Sequence, residues 1–190
     1  MPAPSIPKSE VLDRLTKTFR TYGYEGASLA KLSEAAGLGR SSLYHYFPGG
    51  KEEMAQAVLA HANAWLETHV LTPLVSADSP EKRLRAMANQ LESFYEGGQE
   101  ACLLGIMALG DARDLFQQEI STAITSWVNA IATVFRDAGY PPTKATKLAS
   151  EVVRDIQGAL VLSRGLNDTK LFRDLLRELP NRARTAAQSG

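Results

Sequence analysis

Between Ser28 and Lys51 the sequence reads SLAKLSEAAGLGRSSLYHYFPGGK. Ser28 is suited to cap a helix over Leu29 to Ala36, with Leu29, Leu32 and Ala36 on its inner face. Gly37-Leu38-Gly39 interrupts that helix, because glycine reverses the chain at positive φ with little cost. A second short helix follows from Arg40 to Phe47, and Pro48-Gly49-Gly50 ends it. Ala35 and Ala36 are small enough to let the two helices approach, and Leu38 can plug the angle between them. This is the pattern of a helix-turn-helix. Its second helix opens with Arg40, Ser41 and Ser42, polar side chains of the kind a major groove admits. Arg40 can pair bidentately with a guanine edge, and the serines can reach bases or phosphates.

On the N-terminal side, Val11, Leu12, Leu15, Phe19 and Tyr22 repeat at helical spacing, with Ser9 as the expected N-cap and Gly23 as the stop. Met1 to Pro7 holds three prolines and reads as an unpacked arm. On the C-terminal side, Lys51 opens a long helix that Thr72-Pro73 is expected to end. Ser79-Pro80 starts the next, which Gly97-Gly98 closes. A short apolar segment, Ala101 to Leu109, precedes a long helix predicted from Asp111 to Ala138. Further helices run from Thr143 to Leu166 and from Leu171 to Leu179, with a tail after Pro180. No alternating strand pattern occurs. The expectation is an all-α chain of about nine helices. Residues 1–50 form a three-helix helix-turn-helix domain, and residues 51–190 form a larger helical domain.

Composition narrows the function. The chain has 190 residues, with 21 Lys plus Arg against 21 Asp plus Glu, so it is not a uniformly basic coat for nucleic acid. The charge is nevertheless uneven. Between residues 8 and 51, seven basic residues face four acidic ones, a net of +3 that leaves −3 for the remainder. One cysteine, Cys102, excludes an internal disulfide framework and a cysteine-rich zinc site, and three histidines leave little for any metal. No cofactor is expected. The N-terminus lacks the apolar core of a signal peptide, and no apolar run reaches the ~18 residues of a membrane span. The reading is a soluble cytoplasmic protein.

The segment from Ser9 to Val58 resembles the DNA-binding domain of TetR-type transcriptional repressors. The resemblance rests on Tyr22-Gly-Tyr, Ser28-Leu29, Ala35-Ala-Gly-Leu38, Ser42-Leu-Tyr-His-Tyr-Phe47 and Lys51-Glu-Glu. The pair Gly49-Gly50 makes the loop before the lysine one residue longer than in most of the family. That loop, with Gly105 near Cys102-Leu-Leu, is similar to the branch containing regulators of lincomycin and multidrug efflux genes. The resemblance implies a homodimer whose recognition helices enter successive major grooves of a palindromic operator, about 34 Å apart. It also implies a C-terminal domain that binds a small molecule and then releases the DNA.

The residues expected at DNA are Ser28, Arg40, Ser41, Ser42, Tyr44, His45, Tyr46 and Lys51. Arg40 is read as a base contact rather than a solvated surface arginine, and Tyr44 as a phosphate donor. Tyr46 is divided evenly between phosphate and core. His45 is equally an exposed backbone contact or incidental. Lys51 and the free N–H groups of the helix it opens both favour a phosphate. Lys31 is read as part of a basic face.

For an apolar effector the candidates are Phe94, Cys102, Met107, Trp127 and Gln157, since ligand sites combine apolar walls with a few polar groups. The alternative for these residues is ordinary core. The stripes Ala149, Val152, Val153, Ile156, Ala159, Leu160, Ser163 and Leu171, Phe172, Leu175, Leu176, Leu179 are read as a dimer surface, with the subunit's own core as the alternative. No glycine-rich phosphate loop and no Ser-His-acid or Cys-His set is evident, so no enzyme is expected. The competing function is an all-α small-molecule-binding protein without specific DNA function.

Overall fold

The computed structural model describes residues 6–184, and among them there are helices and no strands. The first helix, α1 (Lys8–Gly26), buries Val11, Leu15, Thr18 and Phe19 on one side and is broken at Gly23, where φ is 68° and ψ is −179°. Its N-cap is Pro7 rather than Ser9, which lies inside the first turn. Residues 1–5 of the expected N-terminal arm lie outside the described residues. α2 (Leu29–Ala36) is capped by Ser28, whose Oγ accepts from the Lys31 N–H at 3.3 Å. α3 (Arg40–Tyr46) follows, then α4 (Gly50–Leu66). α4 continues through a π turn, Glu67–Leu71, into one more helical turn, Thr72–Leu74, so Pro73 does not end it at residue 72.

α5 (Pro80–Phe94) has Pro80 in its first turn under the Ser79 cap. Two short helices, α6 (Leu103–Met107) and α7 (Gly110–Leu115), precede α8 (Gln117–Asp137). The single helix expected from Asp111 to Ala138 is therefore two, parted at Phe116 (φ −124°, ψ 22°). The Phe116 ring is buried and meets the Tyr24 ring edge-on at 5.6 Å. No glycine or proline marks this break, so apolar periodicity runs across it unaltered. α9 (Pro142–Leu166) ends on left-handed Asn167, and α10 (Lys170–Arg182) follows. Pro180 lies inside α10 rather than ending it. Its missing N–H forfeits one bond to the Leu176 carbonyl, and Leu179 and Pro180 are both buried, which offsets the loss. Of the tail expected beyond it, residues 185–190 lie outside the described residues.

The chain divides into two compact units. The first holds residues up to Asn63 together with Leu103–Ile120, and the second holds Ala64–Cys102 with the chain from Ser121 onward. The division thus differs from a cut at residue 50. Met54, Ala55, Val58 and Leu59 of α4 are fully buried in the first unit's core. α6 and α7 pack against α1 in that unit although the chain reaches them from the second.

In the second unit α5 and α10 pack closely. Arg83, buried, donates to the Leu74 carbonyl at 3.0 Å and pairs with Asp137 at 2.8 Å. The Ser163 hydroxyl accepts the Phe172 N–H at 3.2 Å and ties α9 to α10. The stripe formed by Ala149, Val152, Val153, Ile156, Leu160 and Ser163 is buried within this unit, as are Phe172, Leu176 and Leu179. These side chains complete the subunit's own core, the alternative reading of the two stripes, whereas Leu171 is exposed and Ala159 and Leu175 are half-buried. The apolar side chains that α9 and α10 leave in solvent are Val161, Leu162, Leu166 and Leu171.

Gly98 shows how tightly this core closes. Its φ is 109°, and a Cβ there would lie 2.8 Å from the Phe172 Cβ. Gly98→Ala combines backbone strain with an overpacked contact and is expected to cost about 1–3 kcal/mol. A thermal melt checks it, with Tm falling by several degrees; an unchanged Tm would contradict the packing.

Candidate nucleic-acid interface

The turn between α2 and α3 is built from local bonds. Gly37 (φ 66°, ψ 26°) is the left-handed cap of α2, with its N–H on the Glu34 carbonyl at 3.0 Å and the Leu38 N–H on the Ser33 carbonyl at 3.2 Å. The Ser33 hydroxyl donates to the Leu38 carbonyl. Arg14 of α1 donates to the Ala36 carbonyl at 2.8 Å and is held by Glu10 at 2.6 Å. Its guanidinium therefore closes the negative end of α2. Sequence reasoning counted Arg14 only as charge; its distance of 22 positions from Ala36 carries no local signal.

α3 presents two faces. Leu43 and the capping residue Phe47 are buried. Arg40, Ser41, Ser42, Tyr44 and His45 are exposed. The helix thus sets one cation, two hydroxyls, a phenol and an imidazole toward solvent from about two turns of backbone, the display that groove reading requires. Tyr44 is 44% exposed, and its ring lies against Gly50, where a Cβ would sit 3.6 Å from the Tyr44 Cε1. The second glycine of the pair is favoured by its φ of 71°, since a Cβ there would make only ordinary contact with that ring. The Gly49 N–H is taken by the Glu53 carboxylate at 2.6 Å, which caps the start of α4.

Three other expected contacts are engaged elsewhere. The Tyr46 hydroxyl donates to the Ile6 carbonyl at 2.8 Å, so its single proton is committed within the protein. The Lys51 ammonium lies 4.3 Å over the Tyr24 ring, and the residue is half-buried. The Ser28 hydroxyl is exposed and accepts from its own helix. Lys31 donates to the Gly26 carbonyl at 3.1 Å and lies 4.0 Å over the Tyr22 ring.

Below Lys51, Glu25 makes the node that joins α1 to α7. Its carboxylate accepts the Asp111 N–H at 2.7 Å and the Ala112 N–H at 3.4 Å. Its own backbone N–H, foremost, with those of Asp111 and Ala112 and the Lys51 charge, holds the Glu25 carboxyl below the usual carboxylate value despite partial desolvation. The neighbouring Tyr24 phenol is held above its usual value by burial first, then by the carboxylates of Glu52, Glu25 and Asp111.

The five effector candidates divide between the units. Phe94, Cys102, Trp127 and Gln157 belong to the second, and Met107 is core of the first. Gln157 Nε2 lies 3.2 Å from Cys102 Sγ, a hydrogen bond that unites two of them. The Trp127 indole is buried, and its N–H has no acceptor among the described residues. Phe94 stacks on Trp65 with centroids 3.7 Å apart, and Trp65 in turn stacks on His69 at 5.0 Å. Trp65 escaped sequence reasoning, although its spacing of four from His69 on one helix was available. Among the described residues no group of three or more His, Cys, Asp or Glu could hold a metal, and no helix is long and apolar enough to cross a membrane.

A broken first helix, a capped glycine turn and a two-turn helix with a solvated polar face define a helix-turn-helix DNA-binding protein. Residues 11–58 match the family described as bacterial regulatory proteins, tetR family. Residues 80–178 match the C-terminal domain of LmrA/YxaF-like transcriptional regulators. The chain belongs to the TetR family of transcriptional regulators, in the group with an LmrA/YxaF-like C-terminal domain.

It is 21% identical over 160 residues to the HTH-type transcriptional regulator LmrA of Bacillus subtilis (strain 168), covering 82% of this chain and 85% of that one. It is 24% identical over 196 residues to the uncharacterized HTH-type transcriptional regulator Rv0196 of Mycobacterium tuberculosis (strain H37Rv), covering 94% and 98%. Among solved structures, a TetR transcriptional regulator from Legionella pneumophila has a TM-score of 0.80 at 19% identity, covering 95% of this chain and 98% of that one. A cysteine mutant of the TetR family regulator CifR, complexed with 26 bp operator DNA, has a TM-score of 0.75 at 22% identity over 95% and 98%. The relatives are named as regulators and not as enzymes, in keeping with the lack of a catalytic set in the sequence.

The Glu25 node has a pH signature. A carboxyl whose folded value is depressed contributes stability above its usual value of 4.5 and loses it as pH falls through the folded value. Glu25→Gln is therefore expected to lower the urea midpoint at pH 7. The gap from wild type should narrow below pH 4.5 and close in stronger acid. Parallel midpoint curves across that range would remove the charge from the node.

Proposed function

We propose that this regulator is a repressor that binds a palindromic operator as a homodimer in the cytoplasm and is released by a small, largely apolar effector. The observation that carries the reading is the solvated face of α3. Arg40 reads a base edge, Ser41 and Ser42 contact bases or phosphates, and Tyr44, His45 and Ser28 bind backbone phosphates. Lys51 joins them by swinging its flexible stem off the Tyr24 ring, a contact of 4.3 Å that a phosphate outcompetes. In this reading DNA recognition belongs to the N-terminal residues up to about 50, and effector binding and dimerisation belong to the rest.

Dimerisation through α9 and α10 is supported by their exposed apolar side chains. Val161 is 67% exposed, Leu162 54%, Leu166 66% and Leu171 41%. On the same helix, a Cβ at Gly158 or Gly165 would meet nothing within 4 Å, so a partner backbone has room to approach. Such a patch in water costs roughly 25 cal/mol per Å² of apolar surface, a cost that a two-fold partner removes.

An effector site in the second unit is supported by two features. The buried Trp127 N–H lacks an acceptor among the described residues, and an effector carrying a carbonyl or ether oxygen supplies one. The Gln157 amide is held by Cys102, which orients its remaining polar atoms. Release follows if the effector binds better to a form whose two α3 helices are spaced wrongly for the grooves, and linkage then requires DNA to weaken effector binding by the same factor.

Selection from random duplexes is expected to yield a palindrome with half-sites about one helical turn apart. Arg40→Ala should lose roughly 1–3 kcal/mol of discrimination at one base pair per half-site, measured by competition titration. Equal weakening at every base would remove Arg40 from base reading. Leu162→Glu should raise the dimer dissociation constant at least tenfold by sedimentation equilibrium; an unchanged dimer would place the interface elsewhere.

A further inference from the structure

The pose of α3 depends on few restraints. A seven-residue helix has no stability of its own in water. Leu43 and Phe47 anchor its inner side in the core. Gly39, its N-cap, offers no side chain to the first turn. Among the described residues, Arg40, Ser41, Ser42, Tyr44 and His45 make no side-chain hydrogen bond to the rest of the protein. The exception on this helix is Tyr46, whose hydroxyl donates to the carbonyl of Ile6, 40 positions away, at 2.8 Å in a part-buried setting. A second contact runs beside it, with the Lys8 ammonium 5.2 Å over the Phe47 ring. The chain entering α1 thus lies along the C-terminal end of α3.

We infer that Tyr46 is a positioning residue for base reading: its hydroxyl straps the C-terminal end of the recognition helix to the Ile6 carbonyl and so sets the tilt at which Arg40 meets a base. The inference rests on the reading of α3 as the recognition helix. A phenol has one proton to donate, and a phosphate accepts only. Donation to Ile6 and donation to a DNA phosphate are therefore exclusive, and the two roles leave different marks on binding. A phosphate donor strengthens all duplexes alike. A strap that fixes helix orientation acts on the specific complex, where side chains must match base edges, and leaves non-specific binding through phosphates untouched.

Tyr46→Phe removes the hydroxyl and keeps the ring. Full-length wild type and variant are titrated with the selected operator and with a scrambled duplex, each over a range of salt concentrations. The fold of the variant is verified by far-UV circular dichroism and a thermal melt. The expected result is a loss of about 2- to 10-fold per protomer in affinity for the operator, the scale of one net hydrogen bond. Affinity for the scrambled duplex and the salt slope should stay unchanged. The Val11 amide, bonded to the Pro7 carbonyl at 3.2 Å, should exchange faster in the free variant. Equal weakening on both duplexes, whatever the slope, overturns the strap; a slope reduced as well makes Tyr46 a phosphate contact. Unchanged affinity for both duplexes overturns it as well. If wild type selects no duplex at all, the reading of α3 fails and not the strap alone.

Discussion

The burial of Leu43 and Phe47 is the constraint on which the display of the reading helix depends. α3 is too short to hold itself together, and it exists because these two side chains leave water on one side of it. Each contributes on the order of 1.5–3 kcal/mol on full burial. At 100° per residue, burying positions 43 and 47 turns 41, 42, 44 and 45 away from the core, while Arg40, on the 43/47 side of the wheel, is exposed as the first residue of the helix. The polar display is therefore a consequence of the core, and a groove-reading face follows from apolar packing.

The helix-turn-helix is held from outside as well as from within. Arg14 neutralises the carbonyl end of α2, and Glu25 takes the free N–H groups at the start of α7. Both use the same physics, a full charge placed at the partial charge of a helix end. The second bond also explains why Gly110 is glycine. With φ at 59° and the Glu25 carboxylate against it, a Cβ would lie 2.5 Å from Oε1. The chain enters α6 and α7 from the second unit at Leu103 and returns to it at Ser121, yet both helices pack on α1.

The second unit divides its apolar residues between two uses. One side of α9 and α10 is spent on the subunit's own core, with the Ser163 hydroxyl satisfying a buried N–H between them. The other side carries Val161, Leu162, Leu166 and Leu171 in water. Both faces carry apolar residues at helical spacing, so hydrophobicity alone could not say which one the subunit covers.

Much of this chain was legible in its sequence. The all-helical class, the capped Ser28 helix, the glycine turn and the outward face of Arg40, Ser41 and Ser42 depend on relations among residues within one or two turns, and such relations are written in adjacent positions. What remained hidden depends on distance along the chain. The break at Phe116 arises where a buried ring meets Tyr24, the hydroxyl of Tyr46 is drawn to Ile6, and the ammonium of Lys51 rests on Tyr24. Local periodicity decides that a helix forms and which side of it is apolar. Only the tertiary structure decides what each side faces, because long-range packing selects among partners that the local pattern leaves equivalent.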